Sequence, residues 1–218
     1  MSILKFNKVN FTDGEKTILK DINFEIKKGD YVTIVGPSGS GKSTLLKLCN
    51  NLISPSDGSI YYNDKNITEY NPVDLRKDIS YCLQIPHLFG ETVMDNLSFP
   101  FKIRNAKINM DKIHELTYKF KIRKNILDEK IINLSGGEKQ RISLMRTLMH
   151  TPDVLLLDEV TSSLDVENTS IVEDIVKDLN DKGVTILWIT HDMEQSFKYA
   201  NKRINLNSGE LKELEVIK

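Results

Sequence analysis

An α/β fold built on a mostly parallel sheet is what this sequence predicts, and three observations predict it. Two short runs, residues 154–157 and, within 184–190, residues 186–189, are apolar without alternation, the mark of strands covered on both faces. Between them Val172, Ile175, Val176 and Leu179 recur at helical spacing ahead of Gly183, a residue suited to ending a helix. A third apolar run, residues 31–35, enters a glycine-rich loop, and Leu45, Leu46, Leu48 and Leu52 follow at helical spacing. Strands that alternate with helices in this way argue for α/β.

From the start of the chain, residues 3–11 and 19–26 alternate apolar and polar positions around Asp13-Gly14, which predicts a small antiparallel lobe. Residues 43–52 then read as the helix after the loop. Further strands are expected over 59–62 and 78–84, separated by a segment in which Pro72 opens a short helix. Residues 86–133 hold Pro86, Pro100 and many Lys and Asn, and they read as helices and loops inserted into the α/β core. A helix is expected from Gly136, with Ile142, Met145, Leu148 and Met149 on one face, stopping before Pro152. The tail, 203–213, reads as a hairpin turning at 207–209. No repeat or linker divides the chain, so one domain is expected: a core of residues 1–85 and 150–218, with a helical lobe over about 86–149.

Composition narrows the function classes. The 218 residues carry 30 basic and 31 acidic side chains, so no whole-molecule field exists to hold a polyanion, and nucleic acid is not an expected partner. Cys49 and Cys82 are too few and wrongly spaced for a disulfide framework or zinc site, and they read as thiols in a reducing compartment. No apolar run reaches the roughly 20 residues that span a bilayer, and Lys5, Asn7 and Lys8 interrupt any signal-peptide core.

Three motifs carry chemistry. Gly36-Pro37-Ser38-Gly39-Ser40-Gly41-Lys42-Ser43, with Thr44 after it, fits the P-loop pattern. Glycines leave backbone N–H groups open to phosphate oxygens, the following helix start is electropositive, Lys42 supplies a point charge, and the Ser43 hydroxyl suits Mg2+. Asp158 and Glu159 close the apolar run at 154–157. Neighbours on a strand face opposite ways, so they divide the work: Asp158 on the Mg2+ side, Glu159 as the base for an attacking water. Leu134-Ser135-Gly136-Gly137-Glu138-Lys139-Gln140-Arg141 contains a capping box in Ser135 and Glu138. The box leaves two adjacent glycines in the first turn unexplained, where each costs up to about 1 kcal/mol against alanine. An anion approaching that helix start closely would explain them.

That last run resembles the signature of ABC (ATP-binding cassette) ATPases, and the family's other motifs occur in the same order along nearly the whole chain. Gln84 stands where the family's glutamine loop joins core and helical lobe, and it is implied as a further Mg2+ ligand and catalytic residue. Ser163-Leu164-Asp165 resembles the D-loop, His191 the switch histidine, and Phe11 the aromatic that stacks on adenine. The resemblance implies a P-loop NTPase of the ABC fold with ATP and Mg2+ as its ligands. Lys42, Gln84, Glu159 and His191 would be catalytic. It also implies a head-to-tail dimer in which Ser135, Gly136 and Gly137 of one copy meet the γ-phosphate on the other copy's Lys42, with Asp165 at the seam.

Members without membrane spans drive a separate permease from the cytoplasmic face, which implies a contact over residues 85–101. Pro86, Leu88, Phe89, Val93, Met94, Leu97, Phe99 and Phe101 make that segment dense in apolar side chains for a loop, whether as a local core or as a socket. Residues 84–93, with Asp95-Asn96-Leu97, Phe99-Pro100-Phe101 and residues 189–192, are similar to motor subunits of the iron-export type. Motors of amino-acid, phosphate or lipoprotein-releasing systems are the alternative, and soluble ABC proteins acting on DNA or ribosomes are a further one.

Overall fold

The computed structural model describes residues 1–217, and the final residue of the expected core range lies outside them. In chain order the elements are β1 (Ser2–Asp13), β2 (Lys16–Lys27), β3 (Tyr31–Val35), α1 (Lys42–Cys49), β4 (Asp57–Tyr62), β5 (Lys65–Asn66), α2 (Pro72–Asp78) and β6 (Ile79–Cys82). Then come α3 (Val93–Lys102), α4 (Met110–Lys119), α5 (Gly136–Thr147), β7 (Val154–Asp158), α6 (Val166–Asp181), β8 (Thr185–Ile189), α7 (Met193–Lys198), β9 (Lys202–Asn207) and β10 (Glu210–Val216).

The described residues group into two compact units. The first comprises Met1–Tyr81, Pro152–Glu159 and Asn180–Lys218, and the second Cys82–Thr151 and Val160–Leu179. Most of α6 therefore belongs with the second unit, although the sequence reading kept it in the core.

The first unit holds two sheets. One is four-stranded in the order β2-β1-β4-β5, and the other is six-stranded in the order β10-β9-β3-β8-β7-β6. In the larger sheet β3 pairs in parallel with β8 and β9, and β7 with β8, which is the expected mostly parallel arrangement. Strands β7 and β8 are buried at every position, so both faces are covered and unbroken apolar runs are tolerated. Strands β1 and β2 alternate because only one face of their antiparallel pair is covered. Leu4, Phe6, Leu19 and Ile22 from the small sheet, Ile34, Leu156 and Ile189 from the large one, and Leu45 and Leu48 from α1 form one apolar core.

Several boundaries differ from the sequence reading. Helix α1 ends at Cys49, because Asn51 adopts φ 52 and turns the chain, so Leu52 is 45% exposed instead of extending the apolar face. Strand β6 stops at Cys82, short of Gln84. Within residues 86–133, expected as helices and loops, α3 is capped by Thr92 and Asp95 in a reciprocal box, with Pro100 inside the helix. Helix α7 has no counterpart in the sequence reading.

In the second unit α3, α4 and α5 gather Val93, Leu97, Ile113, Leu116, Ile142 and Met145 away from water, each helix burying one stripe. Helix α5 is capped by Ser135, whose hydroxyl accepts from Glu138 N at 3.2 Å while Glu138 Oε2 accepts from Ser135 N at 2.9 Å.

Candidate functional site

The loop after β3 is shaped for an anion. Gly36, Gly39 and Gly41 all hold positive φ, and α1 starts at Lys42 with no side chain capping it. Its first N–H groups thus remain available to an acceptor at the helix start. The Lys42 side chain folds back over the loop, Nζ donating to Gly36 O at 3.0 Å and Pro37 O at 2.9 Å. Burial holds that ammonium below the usual lysine range, against the opposing pull of Glu159 and Asp158. Ser40 Oγ is buried without a hydrogen-bond partner. Pro37 and Ser38 are exposed, and Ser43 and Thr44 are half-buried at the first turn.

Asp158, only 4% exposed at the end of β7, receives two hydroxyl donors. Ser43 Oγ donates to its Oδ1 at 3.1 Å and Tyr81 Oη to its Oδ2 at 2.6 Å. A hydroxyl and a carboxylate that already meet are the hard oxygen ligands Mg2+ takes beside phosphate and water, so these residues fit the ion. Tyr81 is not among the residues that the sequence predicts for this site. Its signal, a tyrosine near the end of a predicted strand, says nothing about which strand lies beside it.

Glu159 leaves the sheet with φ 48, a conformation that costs a non-glycine residue about 1–2 kcal/mol. Its N–H still donates to Ile189 O at 3.1 Å. The turn brings Glu159 Oε1 to 2.9 Å from His191 Nε2, beyond the end of β8. The predicted base and the predicted switch histidine, 32 positions apart, are thus in direct contact. Phe11 pairs with Leu19 across β1 and β2 and packs, half-buried, against the core.

The remaining predicted residues lie in the second unit. Gln84 is exposed beyond β6. Ser135 and Gly136 are exposed at the start of α5. A Cβ added at Gly136 would meet nothing within 4 Å, whereas at Gly137 it would come 3.3 Å from Leu164 Cδ2. Among the described residues, packing therefore gives no reason for glycine at 136. Asp165 precedes α6 and accepts from Asn168 N at 2.8 Å and Asn168 Nδ2 at 2.9 Å, bonds that hold its carboxyl below the usual range. Arg141 of α5 donates to Asn168 Oδ1, which ties the signature helix to the Asp165 turn.

The family described as ABC transporter matches residues 19–162. The probable iron export ATP-binding protein FetA of Escherichia coli K12 is 41% identical over 97% of this chain and 95% of its own length. The arginine transport ATP-binding protein ArtP of Haemophilus influenzae is 37% identical over 97% and 91%. Among solved structures, a dimeric post-hydrolysis state of the ATP-binding cassette MJ0796, bound to ADP and Pi, superposes with a TM-score of 0.89 at 28% identity, covering 99% of both chains. With a phosphate loop, a carboxylate pair and a histidine brought together on the same fold, the chain belongs to the ABC transporter family and is an ATP-binding, ATP-hydrolysing subunit of that kind.

Proposed function

We propose that this chain drives an iron-exporting permease from the cytoplasmic face, as one half of an ATP-closed homodimer. Residues 36–44 would hold the triphosphate through loop N–H groups, with Lys42 turning from Gly36 O and Pro37 O to the β- and γ-phosphates, and Phe11 would stack on adenine. Ser43, Asp158 and Gln84 would hold Mg2+, which supplies positive charge against the phosphates.

The Glu159–His191 contact carries the mechanistic reading. A carboxylate held at 2.9 Å by an imidazole cannot swing freely, so it presents one fixed oxygen to a water. As that water's oxygen bonds to the γ-phosphorus, its proton passes to Glu159 and the bond to the departing ADP oxygen breaks. Ser135, Gly136 and Gly137 of the second copy would close over the γ-phosphate, with Asp165 at the seam. Loss of that phosphate removes the negative charge holding two electropositive helix starts together, and the dimer opens.

The permease contact is assigned to residues 85–101, where Ile85, Phe89 and Phe99 are exposed. Export of iron rests on the likeness to FetA, and the likeness to an arginine transport protein supports the second reading, an amino-acid system.

The experiment is Glu159→Gln. The amide preserves shape and a hydrogen bond to His191 but cannot take the proton, so turnover should fall about 10²–10⁴-fold. ATP should still bind, and in size-exclusion chromatography with Mg2+ and ATP the protein should elute as a dimer. Turnover equal to the parent's removes Glu159 as the base. A hydrolysis-blocked protein that stays monomeric with ATP at every concentration removes the shared site.

A further inference from the structure

Helix α5 holds the segment after β6 at two points. Near its middle, Gln140, itself buried, donates from Nε2 to Leu83 O at 3.4 Å. In the last turn, Arg146 donates from Nη1 to Asn96 Oδ1 at 3.0 Å and lays its guanidinium 5.0 Å from the centre of the Phe89 ring. Asn96, on α3, is fully buried and uses both ends of its amide. Its Oδ1 also accepts from Phe89 N at 3.1 Å, and its Nδ2 donates to Phe89 O at 2.8 Å and Thr92 O at 3.0 Å. The Phe89 ring meets Phe99 edge-on at 4.6 Å. Gln84 lies between the two attachments.

Arg146 forms no ion pair among the described residues, and burial works against its charge. A guanidinium placed against an amide oxygen and an aromatic face, with no carboxylate, adds little net stability for the desolvation it costs. Methionine would fill the same space without that cost. What the guanidinium offers and methionine lacks is a directional bond to Asn96, the side chain that fixes both backbone groups of Phe89.

We propose that Arg146 is a positioning residue that makes the segment 83–89 move with α5, so that a displacement of the Ser135 helix start reaches the exposed apolar surface at Phe89 and Phe99. From Ser135 to Arg146 the helix spans about 16 Å. A rigid rod of that length, pinned to the segment at its middle and in its last turn, carries the γ-phosphate contact and the permease-facing loop as one body. This rests on the reading of Ser135, Gly136 and Gly137 as the closing half of a second copy's ATP site. It adds a route through α3 and α5 that does not require Gln84 to touch nucleotide.

The test is hydrogen–deuterium exchange on the Glu159→Gln protein, with and without Mg2+ and ATP. ATP should slow exchange over 135–147 and over 83–92. With Arg146→Met added, slowing over 135–147 should persist while slowing over 83–92 is lost, and the Phe89 amide should exchange about tenfold faster without nucleotide. A merely structural role for Arg146 would weaken both regions together. Arg146→Lys serves where methionine prevents folding. One ammonium cannot both cover the ring and reach Asn96 squarely, so the response over 83–92 should fall short of the parent's with 135–147 unchanged. Equal responses over 83–92 in parent and variant overturn the proposal. No response over 135–147 in the parent itself is the distinct signature of a failed shared-site reading, and it overturns this proposal as well.

Discussion

Gly36→Ala tests whether the phosphate loop is held by backbone geometry. A Cβ built at Gly36 lies 1.9 Å from the carbonyl oxygen of Leu206 and 3.1 Å from Ser40 Oγ. Leu206 belongs to β9, locked beside β3 by the pairs Ile34 with Ile204 and Val35 with Asn205. Ordinary contact begins near 3.4 Å, so loop and strand must part by 1.5 Å (3.4 − 1.9). The φ of 145 adds a conformation that alanine scarcely adopts, worth about 1–3 kcal/mol, and the forced movement adds about 1–3 kcal/mol more. A loss near 3 kcal/mol corresponds to a melting temperature lower by about 6–12 °C in a chain of this size. Gly39→Ala is the control. Its φ is 76 but nothing lies within 4 Å of its Cβ, so it should cost about 1–2 kcal/mol. Displaced N–H groups should also weaken ATP binding in the Gly36 variant by about 100-fold or more, the worth of one or two charge-assisted hydrogen bonds. Thermal melts and titration with a fluorescent ATP analogue read both quantities. A Gly36 variant that melts and binds like the Gly39 variant would refute the reasoning.

Tyr81→Phe removes the 2.6 Å donor to Asp158 Oδ2, a charge-assisted bond worth about 1.5–3 kcal/mol. ATP affinity measured with EDTA should be unchanged, while the Mg2+ concentration for half-maximal hydrolysis should shift by about threefold or more; an unshifted Mg2+ dependence would mean that Ser43 orients Asp158 alone. The α5 capping box gives a pH signature. Hydrogen bonding to Ser135, chiefly its backbone N–H, holds the Glu138 carboxyl below the usual range, and Arg123 and Arg141 assist. A depressed carboxyl stabilises the fold above its unfolded value and loses that contribution as pH falls through its folded value. Relative to Glu138→Gln, the parent should hold an advantage of about 1 kcal/mol at neutral pH that vanishes on acidification below the usual carboxylate range; paired thermal melts that stay equally far apart across that range would exclude the mechanism.

What the sequence disclosed follows from how local each feature is. The P-loop, the Asp158-Glu159 pair and the α5 capping box are contiguous, and their backbone needs are written in glycines, carboxylates and Ser135. The helix expected over 43–52 runs three residues past the observed end at Cys49, because Leu52 falls in phase with Leu45 and Leu48 by chance. Only Asn51, a residue tolerant of positive φ, hinted at the stop. Helix α7 leaves no periodic signal although Asp192 caps it by accepting from Gln195 N at 3.0 Å; six residues are too few for periodicity to register. Tyr81 with Asp158, and Arg146 with Asn96 and Phe89, stayed hidden for another reason. Their partners are fixed by strand order and helix packing, which neither spacing nor composition encodes.

Asp158 and Glu159 also show how neighbouring carboxylates come to face different partners. Simple alternation along a strand would turn Glu159 to the opposite face of the sheet from Asp158. Instead the ladder ends at Asp158, paired with Ile189, and Glu159 turns through φ 48 with its N–H still held by Ile189 O. The strain therefore sits one residue past the last pair, where parallel strands deliver their loops. The P-loop follows β3, Glu159 follows β7 and His191 follows β8, and β3, β8 and β7 are adjacent and parallel. Three loops from neighbouring strand ends must emerge side by side, so Lys42, Asp158, Glu159 and His191 are gathered by sheet order, and the φ of 48 only sets the direction in which Glu159 points. Relaxing that turn would leave Asp158 against Ser43 and cost the Glu159 carboxylate its histidine.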